Sequence, residues 1–351
     1  MTERQATIWQ KRLGPVLAPV GWTYSQIMAA RSHAYRRGFF SRWRAPKPVI
    51  SAGNISWGGT GKTPICSFIL SWAEEKSLRP ALLTRGYGGR TGALPLLVDP
   101  TCPAGECGDE PLVLAREHPD SLVVVDPVRS RAGQWALARH EPDFFVLDDG
   151  FQHLAMVRDL DLVLLAGDDL GPGWNRVQPR GTWREGVSAL DRATAFLVNV
   201  TGSEQGPVIE ASRARLGNTG KPVFLFRLSI QGLENLADGR ISPGPEGRYW
   251  LVTAVARPQR VAGAVREAFG RSPERHVILP DHAVLNASTI DSIRGEAGRD
   301  GVSELVCTSK DAVKIEHGRE AFRVLRTETI FQSLDDGPEF RAWLDKWWER
   351  I

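Results

Sequence analysis

The chain contains no Cys-x-x-Cys pair. Its four cysteines, Cys66, Cys102, Cys107 and Cys307, complete no zinc site, and the Cys102/Cys107 pair has no histidine or second cysteine pair beside it. This argues against a structural metal or a disulfide framework and favours reduced thiols in the cytosol. Net charge is also low, +3 over 351 residues, too little to imply a nucleic-acid partner. No internal repeat stands out. What remains is a globular composition, 42% hydrophobic and 24% charged, in a length that suggests two domains or one large domain with additions.

The N-terminus departs from that plain picture. Leu13 to Ala30 carries no charge across 18 residues and is flanked by Lys11 and Arg12 before it and by Arg31, Arg36, Arg37, Arg42, Arg44 and Lys47 after it. Gly14, Pro15, Pro19 and Gly21 make a poor uninterrupted span, and Thr23, Ser25 and Gln26 dilute its apolarity. The favoured expectation is a segment lying in a membrane interface, with basic residues toward anionic headgroups. A membrane span and a helix packed on the protein's own core are the alternatives.

The first chemical centre is "PVISAGNISWGGTGKTP", residues 48–64. It reads as a buried strand, a glycine-rich loop and the start of a helix, with Pro64 tolerated in the first turn. Phosphate loops of the pattern G-x-x-x-x-G-K-[ST] turn successive backbone N–H groups toward an anion. Gly58, Gly59, Thr60 and Gly61 supply that loop, Lys62 reaches the β- and γ-phosphates, and the Thr63 hydroxyl ligates Mg²⁺. Ser56 stands where the first glycine of the pattern belongs.

Beyond the loop, apolar runs at 80–84, 121–125, 144–149, 160–165 and 194–200 alternate with helix-like segments, which predicts a mostly parallel sheet covered on both faces. After the turn-rich 238–248 a second alternating set begins, ending in a helix with Phe340, Trp343, Leu344, Trp347 and Ile351 on one face, read as core packing. The expected class is α/β: a P-loop NTPase-type domain over residues 48–230, a smaller α/β domain over 231–351, and a membrane-associated N-terminal helix within 1–47.

"FFVLDDGFQH" (144–153) ends a strand in two aspartates, where a P-loop protein holds its Walker B carboxylate. In an extended strand Asp148 and Asp149 point to opposite sides, one toward a metal shell and the other toward a loop or substrate. "LTRGYGGR" (83–90) is either a surface turn or a place where phosphate or sugar approaches Arg85 and Tyr87. In "CGDEP" (107–111), Asp109 and Glu110 fit a helix start favoured by the dipole. "LPDHAVLN" (279–286) sets Asp281 beside His282, a pair able to form part of a general-base relay.

These motifs together resemble the tetraacyldisaccharide 4'-kinase family. The matching stretches are GNISWGGTGKTP, LTRGYGGR, GDEP, LDDGFQH, Arg184–Glu185, PDH and TSKD (308–311), and the basic, apolar N-terminus matches too. The family's loop commonly carries a small hydroxylated residue at the place of Ser56. The resemblance implies an ATP- and Mg²⁺-dependent kinase at the cytoplasmic face of a bacterial inner membrane, phosphorylating the 4'-hydroxyl of a lipid A disaccharide precursor to yield lipid IVA. It further implies Asp109 as the catalytic aspartate with His282 as its partner and Lys62 on the phosphates. Thr63, Asp148, Asp149 and Glu185 would then surround the metal, with Arg85, Tyr87, Glu110 and Gln152 near the substrate. With the boundary at 230, Asp109 and His282 fall in different domains. The chain departs from the family pattern after His282, where a second histidine and an aromatic residue are missing, and at TSKD, which replaces TEKD. Two other readings compete: a nucleotide-dependent switch or metal-insertion GTPase, which the absence of an N-K-x-D motif disfavours, and a soluble kinase for a small metabolite, which the N-terminus disfavours.

Overall fold

A computed structural model describes residues 3–202, 205–281, 283–335 and 337–351, with side chains from residue 16 onward. The chain forms two compact units, and neither is one continuous stretch. The first contains Met1–Thr84, Val128–Arg227 and Phe331–Ile351; the second contains Arg85–Pro127 and Leu228–Ile330.

The first unit is organised around the strand Val49–Asn54, buried at every position. It pairs in parallel with Phe144–Asp148 on one side and Leu160–Ala166 on the other. Pro80–Thr84 extends the sheet beyond Phe144–Asp148, and Ala195–Asn199 followed by the start of Val223–Asn235 extends it beyond Leu160–Ala166, all parallel. Strands this apolar need cover on both faces, which the intervening helices provide. Helix Lys62–Glu75 buries Ile65, Cys66, Ile69, Leu70, Trp72 and Ala73. Their spacing of three, four and one keeps them on one helical face.

The consecutive spans expected from the sequence do not follow these units. Residues 85–127 leave the first unit after its Pro80–Thr84 strand and join the second, which the expected boundary at 230 had placed wholly downstream. The return crossing lies inside the strand Phe322–Ser333, so the last helix, Phe340–Trp348, belongs with the first unit. Aromatic packing explains that placement. Phe340 lies against Phe68, Phe224 and Phe331, and Trp348 against Trp72 and Phe144. Trp72 donates its indole N–H to Asp345 at 2.8 Å. The expected core face holds for Phe340 and Leu344, whereas Ile351 is exposed.

The N-terminal helix runs from Glu3 to Arg36, through both prolines. Among the described residues no helix is long and apolar enough to cross a membrane. Gly21 and Ser32 are buried, and a Cβ on Gly21 would meet the Val177 carbonyl at 3.0 Å. Val16, Val20 and Ile27 are 74%, 54% and 59% exposed. At 3.6 residues per turn, Gly21, Ser25 and Ser32 share one side and Val16, Val20 and Ile27 the opposite one. The helix therefore packs within the first unit on one side and leaves an apolar stripe uncovered on the other.

In the second unit Tyr249–Thr253 pairs in parallel with Arg275–Ile278 and with Glu304–Cys307, which in turn pairs with the start of Phe322–Ser333. Helix Ala287–Arg299 is capped by Asn286, whose side chain accepts from the Thr289 N–H at 2.9 Å. Trp250, Ile290, Leu305 and Phe322 form its core.

Candidate active site

The loop between Asn54 and Lys62 is shaped by backbone conformations that only glycine takes at low cost. Gly58 has φ 117° and Gly61, the cap of the following helix, has φ 98°. A Cβ on Gly61 would also press on the Phe226 ring at 2.9 Å. The Asn54 amide reaches the Gly58 carbonyl at 3.5 Å, and Asn199 donates to the Thr60 carbonyl at 3.0 Å. Thr60 is buried, and its hydroxyl has no hydrogen-bond partner among the described residues. A curled loop at the N-terminus of a 14-residue helix, with an unused buried hydroxyl, suits an anion.

Ser56 has a definite task here. Its hydroxyl donates to Asp169 at 2.8 Å, and Asp169 also accepts from the Trp183 indole at 3.1 Å and the Ala166 N–H at 2.8 Å. Burial pushes the Asp169 carboxyl up, and those three hydrogen bonds oppose it. Trp57 N–H donates to the Thr182 carbonyl and Arg184 N–H to the Ile55 carbonyl, at 2.9 and 2.7 Å, so residues 182–184 clamp the entry to the loop. A glycine at 56 would lose the side-chain part of that clamp. Nothing in the local sequence around Ser56 pointed to Asp169.

Lys62 donates to Asn54 at 3.3 Å and lies 3.6 Å from Asp149. Arg184 places one nitrogen 2.8 and 2.9 Å from the two Asp149 oxygens and 3.0 Å from Gln152 Oε1. Burial alone would raise the Asp149 carboxyl, but Lys62 and Arg184 outweigh it and hold it below the usual carboxylate range. The two aspartates do not alternate along an extended strand as expected. Asp148 ends its strand, whereas Asp149 turns away with φ 51°. The turn is possible because Gly53 has no Cβ: one there would sit 2.4 Å from the Phe151 nitrogen. Asp148 instead accepts from the Thr84 hydroxyl at 2.8 Å and the Cys66 thiol at 3.9 Å.

Two expected site residues have other work in the structure. Gln152 donates to the Asn54 carbonyl at 3.0 Å while accepting from Arg184, so both ends of its amide brace the loop. Glu185 is buried and takes Arg192 on both oxygens, at 2.7 and 3.0 Å. Arg192 also stacks on Phe151 and reaches Ser32 of the N-terminal helix at 3.4 Å. Through Arg192, Glu185 thus braces the N-terminal helix.

His153 makes a testable contrast. Burial, with Arg129, Arg158 and Arg31 nearby, lowers its pKa to about 4. The folded protein therefore keeps it neutral, while the unfolded chain takes up a proton below pH 6.5. Stability falls as pH drops from 6.5 toward 4, by up to about 3 kcal/mol from this group. In a His153→Asn variant the fall in melting temperature over that window should be shallower; an unchanged slope would assign it to other groups.

In the second unit, motifs far apart in sequence meet. Asp109 opens the helix Asp109–Glu117 one residue after its cap, Gly108, so Asp109 and Glu110 lie in the first turn, where the helix dipole favours them. Its carboxylate lies 3.2 Å from the Lys314 ammonium, and Glu110 lies 3.3 Å from Lys310. The RGYGG turn packs directly on this segment. A Cβ on Gly89 would be 2.5 Å from the Glu106 carbonyl, and one on Gly108 would be 2.8 Å from the Tyr87 carbonyl. The glycines of both motifs allow this backbone approach, leaving Arg85 and Tyr87 exposed. Asp281 lies 3.9 Å from Lys310, so the PDH segment sits in the same unit as Asp109, not in a different one. His282 itself lies outside the described residues.

Among the described residues no three His, Cys, Asp or Glu side chains cluster as a metal cage. Mg²⁺ does not require one, since it is commonly held by one or two carboxylates with substrate phosphates. The hard oxygen donors at the end of the Phe144–Asp148 strand and at the helix start, Asp148, Asp149 and Thr63, fit that pattern.

Known proteins resemble this chain over nearly its whole length. The family model described as Tetraacyldisaccharide-1-P 4'-kinase matches residues 13–349. A tetraacyldisaccharide 4'-kinase of Nitratidesulfovibrio vulgaris is 41% identical over 346 residues, covering 97% of this chain and 96% of that protein. Another, of Oleidesulfovibrio alaskensis, is 41% identical over 354 residues with 97% of each covered. Among solved structures, LpxK from Aquifex aeolicus in complex with ATP matches with a TM-score of 0.76 at 27% identity, covering 96% of this chain and 99% of that one. Matched by the family model over residues 13–349 and by relatives 41% identical over nearly the full length, the chain belongs to the tetraacyldisaccharide 4'-kinase family.

Proposed function

We propose that the protein transfers the γ-phosphoryl group of ATP to the 4'-hydroxyl of tetraacyldisaccharide 1-phosphate, forming lipid IVA. The observation that carries this reading is the curled Gly58–Thr63 loop with Lys62 set between Asn54 and Asp149. Lys62 and the loop amides stabilise charge on the transferring group. Asp148, Asp149 and Thr63 would hold Mg²⁺, which when bound neutralises phosphate charge. Arg184 orients Asp149, and the Ser56–Asp169 clamp keeps the loop in its curled form before the nucleotide arrives. Asp109 receives the proton of the acceptor hydroxyl, and His282 is its partner by resemblance. Arg85 and Tyr87, exposed beside the Asp109 segment, are proposed to contact the acceptor.

A purified preparation given ATP, Mg²⁺ and the disaccharide in detergent should yield ADP and a lipid heavier by one phosphate in equal amounts. ADP without phosphorylated lipid would leave an ATPase rather than this kinase.

The acceptor's acyl chains leave a bilayer at a cost of roughly 0.8 kcal/mol per CH₂, so the enzyme has to come to the membrane surface. The uncovered Val16, Val20 and Ile27 stripe supports an interfacial helix on the cytoplasmic leaflet, with the exposed Arg36 and Arg37 toward headgroups. Removing residues 1–47 would also strip packing from the first unit, because Trp43 pairs with Ala155 and Val157 and packs on Phe145. The cleaner variant replaces Val16, Val20 and Ile27 together with asparagine, leaving the packed side intact. Vesicle partition should fall roughly 100-fold, equivalent to about 1 kcal/mol per side chain. ATP turnover on a short-chain soluble acceptor should not change. Undiminished partition would remove the stripe from membrane binding.

A further inference from the structure

The second unit holds a buried ion cluster around Lys314. Lys314 follows the short TSKD helix, Ser309–Ala312, and its side chain is only 6% exposed. Its ammonium lies 3.2 Å from Asp109 Oδ2 and 3.5 Å from Asp311 Oδ1, with those side chains 12% and 0% exposed. Asp311 is fixed independently: it accepts from the Thr308 hydroxyl at 2.8 Å and from the Ala254 N–H at 3.1 Å. The order of attachment therefore runs from the sheet, through Asp311, to Lys314 and then to Asp109.

We propose that Lys314 is a positioning residue for phosphoryl transfer, fixing the orientation of the Asp109 carboxylate that receives the acceptor's proton. The inference rests on Asp109 having that role. Phosphoryl transfer asks for placement of the carboxylate more than for a strong base. Its transition state is loose, and catalysis comes mainly from placement and electrostatics rather than from a strong base. A flexible aspartate at the start of a helix would sample several rotamers; one tied to a buried, anchored cation does not. The neighbouring pairs Lys310–Glu110 and Lys310–Asp281 act on the same segment but are more exposed, and none of them touches Asp109 in the contacts described.

A purely structural role makes a different prediction. Lysine could be present only because Asp311 is buried and needs a counter-charge. The discriminating variants are Lys314→Met and the double variant Lys314→Met/Asp311→Asn, in which no unpaired Asp311 charge is left. Both are assayed as full-length protein for kcat, for KM of ATP and of the lipid acceptor, and for melting temperature. Positioning predicts that kcat falls about 100-fold in both variants, with the two KM values little changed. It also predicts that the double variant recovers melting temperature without recovering kcat. A double variant with wild-type kcat would overturn the inference, because Lys314 would then serve Asp311 alone. Asp109→Asn separates the two layers. If Asp109→Asn loses turnover while the double variant keeps it, the base assignment stands and Lys314 has no part in it. If Asp109→Asn keeps turnover, the base assignment and this inference fall together.

Discussion

Replacing Lys62 with alanine should lower kcat by about 1000-fold, in line with about 4 kcal/mol of lost transition-state stabilisation. The ammonium is the one lysine charge at the loop, held by Asn54 at 3.3 Å and facing Asp149 at 3.6 Å. Its removal should leave the fold nearly untouched, since Arg184 already contacts both oxygens of Asp149 and compensates the carboxylate. Turnover measured on protein with a wild-type melting temperature checks this. Near-normal kcat would detach the phosphate loop from the chemistry.

Asp109→Asn carries the second large effect. General-base catalysis is typically worth a factor of 100 to 10,000, and a loss of about 1000-fold in kcat is expected. The structural cost is smaller. Asparagine keeps one carbonyl oxygen toward Lys314, and Lys314 retains Asp311 at 3.5 Å as counter-charge. The stability loss should therefore stay near about 2 kcal/mol or less. Nucleotide affinity should not change, because every loop contact described above lies in the other unit. A variant with wild-type kcat would return Asp109 to a structural role in its ion cluster.

Much of the local geometry of the phosphate loop was readable because it depends on short patterns. GGTGKT forces a turn that only glycines allow, and an apolar strand ending in aspartates marks where carboxylates meet the loop. Strands such as Pro80–Thr84 and Leu160–Ala166 were legible for the same reason: fully buried parallel strands are continuous apolar runs. Long-range pairings were not legible. Nothing near Glu185 announces Arg192 as its partner, and nothing near Gln152 says that both ends of its amide are taken. Asp109 and Lys314 are two hundred residues apart, and only the folded second unit brings them to 3.2 Å.

The unit boundaries failed for a related reason. The second alternating set of strands and helices suggested one boundary, at 230, but the chain crosses between units several times, including inside two continuous strands. A strand that passes from one unit to another keeps its apolar alternation and shows no linker signature. The C-terminal helix was correctly read as a packing element from its aromatic face, yet its destination was set by Trp72, Phe68 and Phe144, which lie far upstream. The N-terminal helix posed a choice between packing and exposure, and opposite sides of one helix satisfy both.

The central claim is transfer of the ATP γ-phosphoryl group to one particular hydroxyl. Its most direct test uses γ-labelled ATP, Mg²⁺ and two acceptors: tetraacyldisaccharide 1-phosphate and the same molecule lacking its 4'-hydroxyl. The account predicts label on the first lipid, removed from it only by release of a 4'-phosphate, and none on the second. Equal labelling of the two acceptors, or label that stays in ATP and inorganic phosphate, would contradict it.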